Sequence, residues 1–174
     1  MGGVAAVRGA RMGAETTARA TIEQARTQER AQHDHWLRDE RKRVAVLMLE
    51  AYDRFTIAAS NVTRMFDLEI EASPDVWSTY KTSMNEIRGA YFPLRLLGPV
   101  RVHQTARELW QLIEQHHEGI QEWADGITTA TDETRADWRS REEQQRYALG
   151  LAHSDLIDAV SETLQGNDVV PRPN

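Results

Sequence analysis

The stretch AETTARATIEQARTQERAQHDHWLRDERKRVAVLMLEAYDRFTIAASNVTRMFDLEI, residues 14–70, decides the fold. No glycine falls between Gly13 and Gly89, and no proline precedes Pro74. Gly and Pro are the strongest helix breakers. The unpunctuated run therefore predicts one long α-helix from about Ala14 to about Ile70, reaching roughly 85 Å at the usual rise per residue. A helix far longer than a small domain is wide needs a purpose: a stalk, an oligomerisation arm or a tether.

Two patterns share this run. From Ala14 to Arg43 it is polar, and Ile22, Trp36 and Leu37 are its only large apolar residues. Opposite charges stand four apart at Glu15/Arg19, Asp34/Arg38 and Asp39/Arg43, a spacing that supports an exposed helix. From Val44 onward the apolar residues Val44, Leu47, Met48, Ala51, Phe55, Ala58, Val62 and Phe66 recur at helical steps. This is the stripe of a helix packed on one side.

Three further helices follow. Ser73-Pro74-Asp75 supplies a cap, a proline suited to the first helical position and an acid for the dipole. Trp77, Tyr80, Met84, Ile87, Tyr91 and Leu94 mark the buried face of that helix, and Pro93 should bend it or end it early. Gly98-Pro99 is a stop followed by a start. The third helix carries Val102, Ala106, Leu109, Ile113, His116, Ile120, Trp123 and Ile127 on one face, weakened by Gly119 and Gly126. Thr131 and Thr134 cap the fourth, whose opening is charged around Trp138 and whose end, through Leu149, Leu156 and Leu164, is a packing face. The expected fold is all-α: a long N-terminal helix continuing into an up-down-up-down four-helix bundle. Its parts are a polar stalk over 1–43, the bundle over 44–165 and a disordered tail over 166–174. The stalk should project from the bundle end that also holds the turn between the second and third helices. Leu47, Phe55, Trp77, Met84, Leu109, Ile113, Leu149 and Leu156 are expected to share one core.

Charge and composition narrow the function. The chain has no cysteine, which excludes disulfides and thiolate metal sites and fits a reducing compartment. Residues 1–43 hold nine Arg or Lys against six Asp or Glu, a balance of +3, and the remainder holds twelve against twenty-one, a balance of −9. A weakly basic arm thus precedes an acidic body. No segment is apolar enough for a membrane span. However, the small apolar residues at the start, followed by Arg8, Arg11 and Arg19, resemble the cytoplasmic edge of one.

Candidate chemistry is sparse. Glu114 and His117 form a Glu-x-x-His step on one helix face, the element that di-iron bundles use in pairs. Only one such step occurs here, so His116 is expected at the edge of the core, with Glu114 and His117 facing water. His33 and His35 diverge around a helix and cannot chelate one ion together. His153, Ser154 and Asp155 are sequence neighbours and diverge for the same reason. No Gly-rich phosphate loop or nucleophile elbow occurs. An enzyme is not expected, and neither is a cofactor. Arg41-Lys42-Arg43, preceded by Arg38, is the densest basic run, but Asp34, Asp39 and Glu40 interleave with it. It suits a lipid surface better than sequence-specific nucleic acid.

The run Arg38 to Phe55, the segment Leu96 to Val102 and the charged segment near Arg141 resemble a loose group of uncharacterised helical proteins from GC-rich Gram-positive bacteria. Members commonly show an N-terminal membrane helix, an Arg-rich coil and a helical bundle. The resemblance spans about residues 14–165 and implies an all-α fold with attachment to a membrane. The chain departs from that pattern in lacking a complete span.

The resulting expectation is a non-enzymatic helical scaffold or interaction module in the cytoplasm, at the inner face of the membrane. Its partners would be a weak homodimer, another protein, or a membrane surface met by the N-terminus. The residues expected to carry the interaction are Ile22, Trp36, Leu37, Arg38, Arg41, Lys42 and Arg43. The alternative is a ligand- or metal-binding bundle built on the histidines of the third helix.

Overall fold

The computed structural model describes the backbone of residues 3–166 and the side chains of residues 19–165. Four helices follow in order: α1 (Gly3–Asp67), α2 (Pro74–Leu97), α3 (Val100–Gly126) and α4 (Asp132–Gly166). No strand occurs among the described residues. Of the tail expected over 166–174, Gly166 belongs to α4 and the rest lies outside the described residues, as do the side chains of Arg8, Arg11, Ala14 and Glu15. The chain divides into two units, Met1–Asp39 and Glu40–Asn174.

In the first unit every described side chain from Arg19 to Trp36 is exposed. Its contacts are local. The Thr27 hydroxyl donates to the Glu23 carbonyl at 2.9 Å, and the His33 ring stacks on Trp36 at 5.9 Å. Asp39 pairs with His35 Nδ1 at 3.0 Å, whereas Arg43 pairs with Glu40. Both pairings stand at favourable helical spacings, His35/Asp39 four apart within the first unit and Glu40/Arg43 three apart within the second.

The second unit is an antiparallel four-helix bundle. Arg54 of α1 meets Glu86 of α2, while Arg41, earlier in α1, meets Leu97, later in α2. Tyr91 of α2 stacks on Trp110 of α3, and Tyr80 on His117. Arg101 of α3 pairs with Glu162 of α4, and Glu122 with Arg141. Along each neighbouring pair, numbers rise on one helix as they fall on the other. Across the diagonal, α1 and α3 run parallel, with Phe55 edge-on to His116 at 5.9 Å and Phe66 against Trp123 at 5.3 Å. The core is buried where the periodicity places it: Phe55, Ile87, Leu109, Ile113 and Leu156 are fully enclosed.

Several expectations need correction. Leu47 is 38% exposed and lies off the buried stripe, which runs through Val44, Met48, Ala51, Tyr52 and Phe55 instead. Trp77 is only half-buried, packed at the edge of the core between Phe66 and Tyr80. Pro93 does not end α2 early, since the helix runs on to Leu97. The last turn is held by the buried Leu94 and by Arg41, whose Nε donates to the Leu97 carbonyl at 2.8 Å. A cation on an orphan carbonyl at a helix C-terminus is favourable.

Helix α1 ends at Asp67, without the glycine that usually stops a helix. Glu69 takes its place, at φ 57°. The Ile70 N–H donates to the Met65 carbonyl and the Glu69 N–H to the Phe66 carbonyl, both at 2.9 Å. These are the two bonds of a Schellman cap, built here on a residue with a side chain. At the start of α2, Ser73 Oγ accepts from the Val76 N–H at 3.4 Å. At the start of α4, Thr131 Oγ1 accepts from the Thr134 N–H at 3.2 Å.

Candidate functional site

The polar interior of the bundle is assembled from all four helices. His116 falls in phase with Ile113 and Ile120 on the buried face of α3 and is 2% exposed. Its expected position at the edge of the core is corrected: it is inside. Its Nε2 donates to Glu142 Oε2 of α4 at 2.6 Å. An ionised carboxylate can only accept, which leaves His116 Nδ1 as the second functional atom of the ring. That nitrogen and Glu142 Oε1 are both buried and have no hydrogen-bond partner within the chain.

His117, one residue on, turns toward α2 and does not face water as expected. The Tyr80 hydroxyl donates to His117 Nδ1 at 2.8 Å, and the two rings stack at 5.6 Å. Burial lowers the pKa of His117, assisted by His116 and Arg88 and opposed by Glu118. Tyr80 is raised far above the ordinary phenol value by burial and by the Glu142 charge. A neutral imidazole accepting from a neutral phenol satisfies both groups. Glu114 is exposed. The Glu114/His117 step therefore does not converge on a shared point, because His117 is already engaged with α2. Among the described residues no group of three or more His, Cys, Asp or Glu is close enough to hold a metal ion.

Beside His116 and Glu142 a groove of about 410 Å³ opens between α1 and α4, with Tyr52, Phe55, Leu149 and Arg146 on its walls. Tyr52 stacks on His153 at 4.1 Å, and burial, with help from Asp53, pushes its phenol up to about 12. Burial also lowers His153, partly opposed by Asp53, and leaves His153 Nε2 without a partner. The Thr56 hydroxyl on the rim donates to the Asp53 carbonyl at 2.9 Å. The groove thus combines an aromatic wall, an exposed guanidinium and a floor with unpartnered polar atoms. Those are the ingredients of a small-molecule site.

The charged opening of α4 forms a structural clamp. Arg141 donates to both oxygens of Glu122, at 2.9 and 3.1 Å, and Trp138 Nε1 donates to Glu122 at 3.3 Å. These bonds hold the Glu122 carboxyl below its usual range. Sequence reading missed Glu142 altogether, although a signal was present. Trp138, Glu142, Leu149 and Leu156 follow at steps of four and seven, so Glu142 lies on the buried face of α4.

The expected interaction residues do not form one cluster. Ile22 and Trp36 are 54% and 56% exposed and stand about 21 Å apart along a helix axis. Leu37 is half-buried, and Arg38, Lys42 and Arg43 are exposed. Arg41 is committed to the Leu97 carbonyl. Among the described residues no helix is long and apolar enough to cross a membrane. No protein-family model matches the chain, and no curated protein and no solved structure matches it.

Proposed function

We propose that this chain is a non-enzymatic helical interaction module whose N-terminal arm pairs with the arm of a second copy. The observation that carries this reading is the exposure of Ile22 and Trp36, at 54% and 56%, within a polar helix whose described side chains from Arg19 to Trp36 are all solvated. Helices without tertiary packing are marginal in water. A second helix would cover Ile22, Ala25 and Trp36 and form a weak coiled-coil seam. The chain acts in the cytoplasm at the inner face of the membrane, a reading supported by the absence of cysteine and by the nine basic against six acidic residues of 1–43. Sedimentation velocity on the full chain tests the pairing. A weak dimer is expected, converted to monomer by Ile22→Asp with Trp36→Ser while helicity is kept. A full chain that stays monomeric at high concentration overturns it.

A second reading, a ligand-binding bundle, is favoured by one observation: His116 is buried with Nδ1 unpartnered at the floor of the groove. It requires a small polar molecule that raises the melting temperature of the full chain and loses that effect in His116→Leu. A panel of hydrogen-bonding aromatic compounds with no such member would remove this reading.

A further inference from the structure

We propose that the end of the bundle formed by the α2–α3 turn is a docking surface for an anionic lipid bilayer, entering the headgroup layer with Leu96 and Val100. This deepens the membrane part of the proposed function and uses residues outside the arm.

Three observations carry it. Leu96 and Val100 are 83% and 73% exposed, the most exposed large hydrophobic residues among those described, and they flank a single turn at Gly98-Pro99. Phe92, 50% exposed, lies one helical turn before Leu96 on the same face of α2. Isolated exposed apolar residues are ordinary, but a group projecting from one turn is not.

The second observation is charge. From Arg88 to Arg107 the chain has four arginines, at 88, 95, 101 and 107, and no Asp or Glu, in a protein whose net charge is −6. Arg95 makes no ion pair among the described residues and is exposed. The third observation is that α1 brings more basic groups to this end. Arg41 is fastened to the Leu97 carbonyl, so the exposed Lys42 and Arg43 belong to the same end of the bundle. Of the acids nearest the tip on other helices, Glu40 pairs with Arg43 and Glu162 with Arg101, while the exposed Asp158 of α4 and Glu50 of α1 stand deeper, level with the outer arginines. Apolar side chains at the tip with the exposed, unpaired Arg95 and Lys42 behind them match the layering of an anionic membrane surface.

The test is flotation of the full chain with vesicles of phosphatidylcholine, with and without phosphatidylglycerol. Binding is expected only to the anionic vesicles, weakening as salt is raised. Arg95→Gln should reduce it about fivefold, and Leu96→Ser with Val100→Ser by roughly a hundredfold. Circular dichroism and the arm-dependent dimer should be unchanged in both variants. If these variants bind anionic vesicles as tightly as the parent, the lipid contact lies elsewhere on the chain and the tip proposal fails, though the membrane reading stands. If the parent chain does not float with anionic vesicles, both fail.

Discussion

The indole of Trp138 lies directly over the bare α-carbon of Gly126: a methyl group built there would sit 2.5 Å from Cη2 of the ring. Trp138 cannot easily move aside. It is 6% exposed, packs against Trp123 at 6.0 Å and donates its N–H to Glu122. Gly126 thus lets the end of α3 approach the start of α4 closely, where its helix-weakening effect alone had been expected.

Gly126→Ala should therefore destabilise the bundle by about 1–3 kcal/mol, although alanine is the better helix former. Gly150, in the interior of α4, has nothing within 4 Å of the same constructed methyl. Gly150→Ala should stabilise by about 0.5–1 kcal/mol. Urea unfolding of the two variants checks both signs. Equal shifts in the same direction would contradict the packing argument.

Truncations in α1 and α4 separate buried from exposed apolar residues. Leu156→Ala should cost about 2–5 kcal/mol, since the side chain is fully enclosed. Leu47→Ala should cost less than about 1 kcal/mol, because Leu47 is 38% exposed. A large loss at Leu47 in thermal unfolding would mean that another surface covers it.

Glu142→Ala should cost about 1–3 kcal/mol by leaving the His116 Nε2–H buried without its acceptor. Replacing both partners by apolar residues, His116→Phe with Glu142→Leu, should recover much of that loss. A double-mutant cycle measured by denaturant unfolding gives the coupling. Simple additivity of the two single variants would refute the pairing.

Acid should weaken the fold before the carboxylates titrate. His117 and His153 are both held below their ordinary value of 6.5, in each case chiefly by burial. Above about pH 7 both are neutral whether the chain is folded or not. As the pH falls through 6.5, the unfolded chain takes up protons that the folded chain resists, so stability rises with pH across this window and is lost on acidification. Melting temperature should fall between pH 7 and pH 5, and the fall should be shallower in His117→Gln, which keeps an acceptor for Tyr80. An unchanged slope in that variant would assign the effect elsewhere.

Glu69→Gly should stabilise the chain by about 0.5–1 kcal/mol, because a left-handed backbone at φ 57° costs glycine nothing. The ion pair lost with Arg135 offsets little of this, since Glu69 is exposed at 55%. Chemical denaturation measures the gain, and a net loss would mean that the Arg135 contact outweighs the backbone term.

The sequence by itself determined the helices and most of their buried faces. Gly and Pro spacing, two side-chain caps and the three- and four-residue apolar steps are local properties, and local properties suffice to define an amphipathic helix. The buried face of α3 is legible in this way from Val102 to Trp123, except that Trp110 is buried beside it and His116 lies deeper than the edge of the core. Tertiary structure alone decided which polar groups those faces carry inward and what they meet. His117 looks exposed on its own helix and becomes an acceptor only because Tyr80 arrives from α2. Glu142 reads as one charge among many until His116 faces it, and Gly126 reads as a weak point until Trp138 covers it. Each of these relationships joins residues on different helices. Periodicity within one helix reports burial but not the partner across the interface, because the partner is set by how the helices dock.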